Sequence, residues 1–117
     1  MRDISFFTKI YVATEPVDFR KHAHGLALVV EHHLGLDHLS EKSLFVFTNR
    51  RRSSIKLLYW DRSGFALWWK ALEADQFRWP QHGDSTTVHI APRELKWLLD
   101  GIDISSLKPH KNITFSS

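Results

Sequence analysis

A chain of 117 residues, 43% apolar and 25% charged, has the size and balance of one globular domain, which excludes a disordered or fibrous class. It has no cysteine, so disulfide frameworks and thiolate metal sites are excluded. The formal net charge of +3 is modest; no apolar run approaches the roughly 20 residues of a membrane span, and the stretch Met1–Glu15 lacks the apolar core of a signal peptide, so a cytoplasmic protein without a membrane partner is expected.

The first element in chain order is a short strand, Lys9–Ala13, closed by Glu15–Pro16, because a proline forces the residue before it into extended geometry. "DFRKHAHGLALVVEHHLGLD" predicts a helix with Asp18 as N-cap. Phe19, Ala23, Leu26, Val30 and Leu34 step by three or four along one face. Gly35 suits the C-terminal stop. Gly25 sits inside the pattern, where it costs about 1 kcal/mol against alanine, which points to close packing on a neighbour. "SLFVF" (Ser43–Phe47) reads as a buried strand, "TNRRRSS" as a connection and "IKLLYW" (Ile55–Trp60) as the next strand. "DRSG" predicts a turn in which Gly64 takes positive φ. "FALWWKALE" fits both periods: Phe65, Leu67, Trp69 and Ala71 alternate, while Phe65, Trp68 and Leu72 are helically spaced. The tight turn and the aromatics favour a strand. "QFRWP" is a short extended piece ended by Pro80, and Thr86–Ile90 is a last strand at an edge. Pro92 opens a helix carrying Leu95, Leu98 and Leu99, stopped by Gly101.

The order strand, helix, several strands, helix predicts an α+β fold: a small, mainly antiparallel sheet of about five strands, with one helix in the N-terminal half and one near the C-terminus. Residues 1–104 are expected to form a single domain, and residues 105–117 a polar tail that frays.

The charge is unevenly placed. Residues 1–47 hold five basic and six acidic residues, residues 48–79 seven and three, and residues 80–117 four of each. The positive excess therefore lies in the middle third, with seven of the fifteen aromatics. Basic charge interleaved with aromatics suits a nucleic-acid surface, and a core β-meander with basic edges has the same composition. The candidate phosphate contacts are Arg50, Arg51, Arg52, Lys56 and Arg62. Arginine offers a planar fork that matches phosphate. The tryptophans Trp60, Trp68, Trp69 and Trp79 can serve as core, as a dock for a protein partner, or as stacking surfaces for bases.

Eight histidines raise a metal hypothesis. His22 and His24 point apart on a helix, and His22 and His33 would stand roughly 16 Å apart. No zinc or non-haem iron spacing is present. The acids are scattered, and there is no nucleophile elbow, phosphate-binding loop or dinucleotide fingerprint. The expectation is a non-enzyme with no catalytic residues, no cofactor and no metal.

"VDFRKHAHGLALVV", "LFVFTNRRRSSIKLLYWDRSGF" and "FRWP" occur in this order at ordinary spacings. Together they resemble the TnpB accessory proteins, the second reading frame of insertion-sequence family sixty-six, which are unrelated to the RNA-guided nuclease of that name. The resemblance runs from about Ile10 to Ile104. Matching positions include Asp18, Arg20, Lys21, Gly25, Asn49, Arg50, Lys56, Trp60, Asp61, Gly64, Lys70, Leu72, Glu73, Phe77, Trp79 and Pro80. It implies a non-catalytic protein that assists transposition, while cutting and joining belong to a separate transposase. The implied partners are that transposase and DNA at the terminal repeats, with self-association possible. Where the family has an arginine this chain has Ala71, and where it has a glycine and a basic residue this chain has Asp75 and Gln76. These departures weaken the positive surface.

The leading expectation is an accessory protein that contacts DNA, or the transposase–DNA complex, through the Arg50–Arg52 loop with Lys56 and Arg62. The second is a protein-interaction module that docks on the transposase through Trp60, Trp68, Trp69 and Trp79 without touching DNA. A metal-dependent enzyme built on the histidines of the first helix is the third.

Overall fold

In the computed structural model, residues 3–72, 76–80 and 83–101 are described. After a 3₁₀ turn at Ile4–Phe6, the elements are β1 (Lys9–Ala13), α1 (Ala23–Leu28), β2 (Ser43–Thr48), β3 (Ser54–Asp61), β4 (Gly64–Ala71), β5 (Thr87–Ile90) and α2 (Pro92–Leu99). The strands form one sheet in the order β4-β3-β2-β1-β5. β1 and β2 are parallel, and every other pair is antiparallel. This is the expected α+β architecture, with β5 at an edge. The parallel pair follows from the helical crossover between β1 and β2, since parallel neighbours cannot be joined by a tight hairpin.

Alternation along the strands sends side chains to two cores. One face gathers Ile10, Val12, Leu44, Val46, Ile55, Leu57 and Tyr59 under Leu95 and Leu98 of α2, with Phe77 and Trp79 from the segment after β4. The other gathers Phe45, Phe47 and Leu58 under Leu26, Ala27 and Val30. β2 is covered on both faces and wholly buried from Ser43 to Thr48, which is why its sequence reads as an unbroken β-branched and aromatic run.

The first helix departs from expectation at its start. Asp18 is not its N-cap; residues 18–22 form a turn, and the helix begins at Ala23 with His22 in the cap position. The Asp18 carboxylate instead accepts from the Arg20 N–H and guanidinium. From Val29 to Leu34 the helix widens to π geometry, and Gly35 stops it at φ 68° as expected. A Cβ on Gly25 would meet the Lys21 side chain at 3.2 Å, so the neighbour packed on this glycine is the turn before the helix.

A second correction concerns the β3–β4 turn. Positive φ falls on Arg62 (59°), and Gly64 is the first residue of β4. "FALWWKA" is strand, paired residue by residue with β3. In Gln76–Pro80, Phe77, Trp79 and Pro80 are buried while Gln76 and Arg78 are exposed, the alternation of an extended segment. Pro92 opens α2, where Glu94 Oε1 accepts from the Ala91 N–H at 2.6 Å. The expected tail at 105–117 lies outside the described residues, as does Asp75.

Candidate functional site

Because β1 and β2 run in parallel, the loops that follow them emerge at the same end of the sheet. These are residues 14–22 and residues 49–53, tied together by the Val17 N–H donating to the Thr48 carbonyl at 2.9 Å. β3 starts and β4 ends here too, with Ser54 opposite Ala71. One end of the molecule therefore carries Arg20, Lys21, Arg50, Arg51 and Arg52.

The arginine loop is held by its neighbours. Asn49 Oδ1 accepts from the Ser53 and Ser54 N–H groups at 2.9 and 3.1 Å, and Asn49 Nδ2 donates to Ser53 Oγ at 3.0 Å. Short polar side chains that bond to backbone two to five residues on are what shape such turns. Gln76 Nε2 donates to the Arg51 carbonyl and the Phe77 N–H to the Arg52 carbonyl, both at 2.7 Å. With the carbonyls fastened, the Arg50 and Arg51 side chains project into solvent. Neither has an ion-pair or hydrogen-bond partner among the described residues. Arg52, at φ 57°, is half-buried. Gln76 therefore anchors the loop that the basic residues occupy.

A cleft of about 380 Å³ opens beside the loop, lined by Pro16, Val17, Asp18, Phe19, Asn49 and Arg50. Arg20 holds the Asp18 carboxyl well below the usual carboxylate range, at about 2, chiefly through its guanidinium and then through its backbone N–H. The Asp18 carboxylate on the wall of the cleft is therefore ionised and paired with Arg20 at neutral pH, while the rim at Arg50 is cationic.

The five expected phosphate contacts separate into three groups. Arg50, Arg51 and Arg52 share the loop. Lys56 is 4% exposed, and its Nζ donates to the Phe19 and Lys21 carbonyls, both at 2.9 Å. Burial lowers the pKa of this ammonium, while the charge of Asp18 acts the other way. Lys56 is thus a pin that holds the 18–21 turn onto the sheet. Arg62 lies at the opposite end of β3, roughly 25 Å away for a strand of eight residues. Lys70 is likewise engaged within the fold, donating to the Leu99 carbonyl at 2.9 Å.

The four tryptophans do not share one surface. Trp79 is buried, and its Nε1 donates to the Ala13 carbonyl at 2.8 Å. Trp68 packs against the α2-side core. Trp60 is half-buried and meets Phe65 edge-on at 4.9 Å, near the Arg62 turn. Trp69 stands apart: it is 63% exposed, on the α1 side of β4, opposite Lys56 in the sheet. Arg20 and Phe19 were not among the expected contacts. The signal for them is topological, since only the parallel pairing of β1 and β2 brings residues 18–21 beside residue 50.

Among the described residues, no three of the histidine and acidic side chains come together as a metal site. His32 and His33 each stand near a single glutamate on the exposed side of the helix. No described helix is long and apolar enough to cross a membrane.

The class defined by this geometry is a small α+β domain with a basic loop at the carboxyl ends of a parallel strand pair. The family model described as "IS66 Orf2 like protein" matches residues 8–109, and the chain belongs to that family of insertion-sequence accessory proteins. It is similar to "Uncharacterized protein y4jC" of Sinorhizobium fredii (strain NBRC 101917 / NGR234), 37% identical over 100 residues, which span 86% of this chain and 84% of that protein. "Uncharacterized protein y4hO" of the same strain is 36% identical over 95 residues, 81% of each chain. No solved structure matches.

Proposed function

We propose that this protein is a non-catalytic accessory factor of insertion-sequence transposition that contacts DNA, alone or within the transposase–DNA complex, through the loop Arg50–Arg52. Family membership supports the process. The observation that carries the contact is the loop itself: a turn fixed by Asn49, Gln76 and Phe77 that leaves two adjacent guanidinium groups in solvent, without an ion-pair or hydrogen-bond partner among the described residues. A preformed turn lowers the ordering cost of gripping a phosphate backbone. Arg20 adds a third guanidinium on the neighbouring loop, partly neutralised by Asp18.

The test is a titration of terminal-repeat DNA at two salt concentrations. Each phosphate neutralised contributes about 0.9 to the slope of log affinity against log salt. Replacing Arg50 and Arg51 together by glutamine is expected to lower the slope by nearly 2 and to weaken binding most at low salt. No retention at low salt, or retention that the double replacement leaves unchanged, sinks contact through this loop.

A second reading has one specific observation in its favour, the exposure of Trp69. An exposed indole is a common anchor for a protein partner; here that partner is the transposase. Capture of purified transposase that survives Trp69→Ala removes this residue as the dock.

A further inference from the structure

We infer that the loop end of the sheet takes unpaired nucleotides of a DNA strand, with Trp69 and Phe19 as stacking surfaces and Arg50 and Arg51 as phosphate contacts. This rests on the DNA-contact reading above and narrows its ligand from DNA in general to a single strand or an unpaired end.

Trp69 is the most exposed large apolar side chain among the described residues. It sits two residues before the end of β4, at the end of the sheet that carries the arginine loop. Beneath it lies the Lys56 ammonium, 5.5 Å from the indole centroid and 4.6 Å from the centroid of Phe19. The two rings are thus neighbours across one buried cation. Phe19 in turn lines the cleft whose rim is Arg50. Indole, phenyl ring, cleft and guanidinium follow one another along a single path over the surface.

Aromatic faces beside a cationic track are how proteins hold nucleic-acid strands whose bases are free. A duplex offers no free base faces away from its ends, so it gives an exposed indole nothing to stack on. The cleft discriminates in the same direction. Its volume is at the lower end of small-ligand sites, roughly 300–1,000 Å³, which admits one nucleotide and not a helix. Its wall carries the Asp18 carboxylate, held ionised by Arg20. Because that carboxylate is paired with Arg20, the charge the cleft offers a phosphate is Arg50 at its rim.

The experiment uses the full chain and a labelled oligodeoxynucleotide of terminal-repeat sequence as a single strand, as a blunt duplex and in its ribose form. The single deoxy strand is expected to bind at least tenfold tighter than the duplex and to quench indole fluorescence. Trp69→Ala is expected to lower single-strand affinity about tenfold, within the range of base–aromatic stacking, without changing duplex affinity. Trp69→Phe should restore most of the affinity but not the quench. Equal binding of strand and duplex, with both indifferent to Trp69→Ala but sensitive to Arg50 and Arg51, overturns stacking and leaves backbone contact standing. Absence of binding to every form overturns both readings. Tighter binding of the ribose form overturns the assignment to DNA. Loss of transposase capture in Trp69→Ala, with single-strand binding intact, makes the indole a protein dock and overturns it as well.

Discussion

Lys56 and Asp18 show how two charges that look like surface features serve the fold. The Lys56 ammonium is desolvated, and two carbonyls of the 18–21 turn compensate it. Lys56→Met keeps the aliphatic stem but leaves both acceptors without their donor. An unsatisfied buried acceptor costs about 1–3 kcal/mol, and because this turn can open to water the loss is expected near the middle of that range, about 2 kcal/mol. Urea unfolding measures it. Because Lys56 neutralises no phosphate in this arrangement, the salt slope of DNA binding should be unchanged in the same variant. Asp18 makes a pH prediction. Its pKa falls from 3.8 to about 2 on folding, so the folded state binds fewer protons than the unfolded one between those values. Its contribution to stability is therefore complete above about pH 4 and is lost as pH falls through 2. A carboxyl NMR titration should find the midpoint near 2. In Arg20→Ala the midpoint should move up only part of the way to 3.8, since the backbone N–H of residue 20 still donates.

At the scale of elements, the β3–β4 turn takes its positive φ at Arg62 and not at Gly64, where the turn chemistry of "DRSG" points. Of its two central residues only Arg62 has positive φ, the pattern of a II′ hairpin, in which glycine is preferred at that first position. A non-glycine residue there costs about 1–2 kcal/mol, and the entropy of a new glycine offsets roughly 0.5–1 kcal/mol of the relief. Arg62→Gly is therefore expected to stabilise by about 0.5 kcal/mol in thermal or urea melts. It should leave DNA affinity alone, because Arg62 is several Debye lengths from the arginine loop at physiological salt, where that length is about 8 Å. Strand positions were legible because burial on one or both faces imposes alternation or an unbroken apolar run, as in "SLFVF" and "IKLLYW". The helix start was not. Asp18 has N-cap chemistry, and its oxygen does accept a backbone N–H two residues on, but Lys56, thirty-eight positions later, binds the carbonyls of residues 19 and 21 and holds this segment as a turn. The basic cluster was half legible for the same kind of reason. Consecutive arginines in a loop are visible in the chain, whereas the removal of Lys56 and Lys70 into the fold, and the arrival of Arg20, depend on which strands are neighbours.

At the scale of the whole molecule, the segment Gln76–Pro80 couples the core to the loop end. Its first residues fasten the carbonyls of Arg51 and Arg52, and its Trp79 reaches across the sheet to the carbonyl of Ala13, the last residue of β1. The two loops that define the candidate interface are thus held by one strap as well as by the contact between Val17 and Thr48. Trp79→Phe tests this arrangement. The phenyl ring retains most of the apolar burial, but the Ala13 carbonyl loses its donor in a buried site, at a cost of about 1–3 kcal/mol. The core alone would spread that loss over the sheet. A strap makes it local: amide hydrogen exchange should speed up first at residues 14–22 and 49–53, while β2 and β3, which lie in the middle of the sheet with β2 buried on both faces, keep their protection. DNA affinity should fall with the loosened loop at unchanged salt slope, since the number of phosphates neutralised is the same and only the ordering cost has risen. Exchange that rises uniformly across β1, β2 and β3, with no preference for the two loops, would show that Trp79 serves the core alone and that the arginine loop is held by Asn49 without the strap.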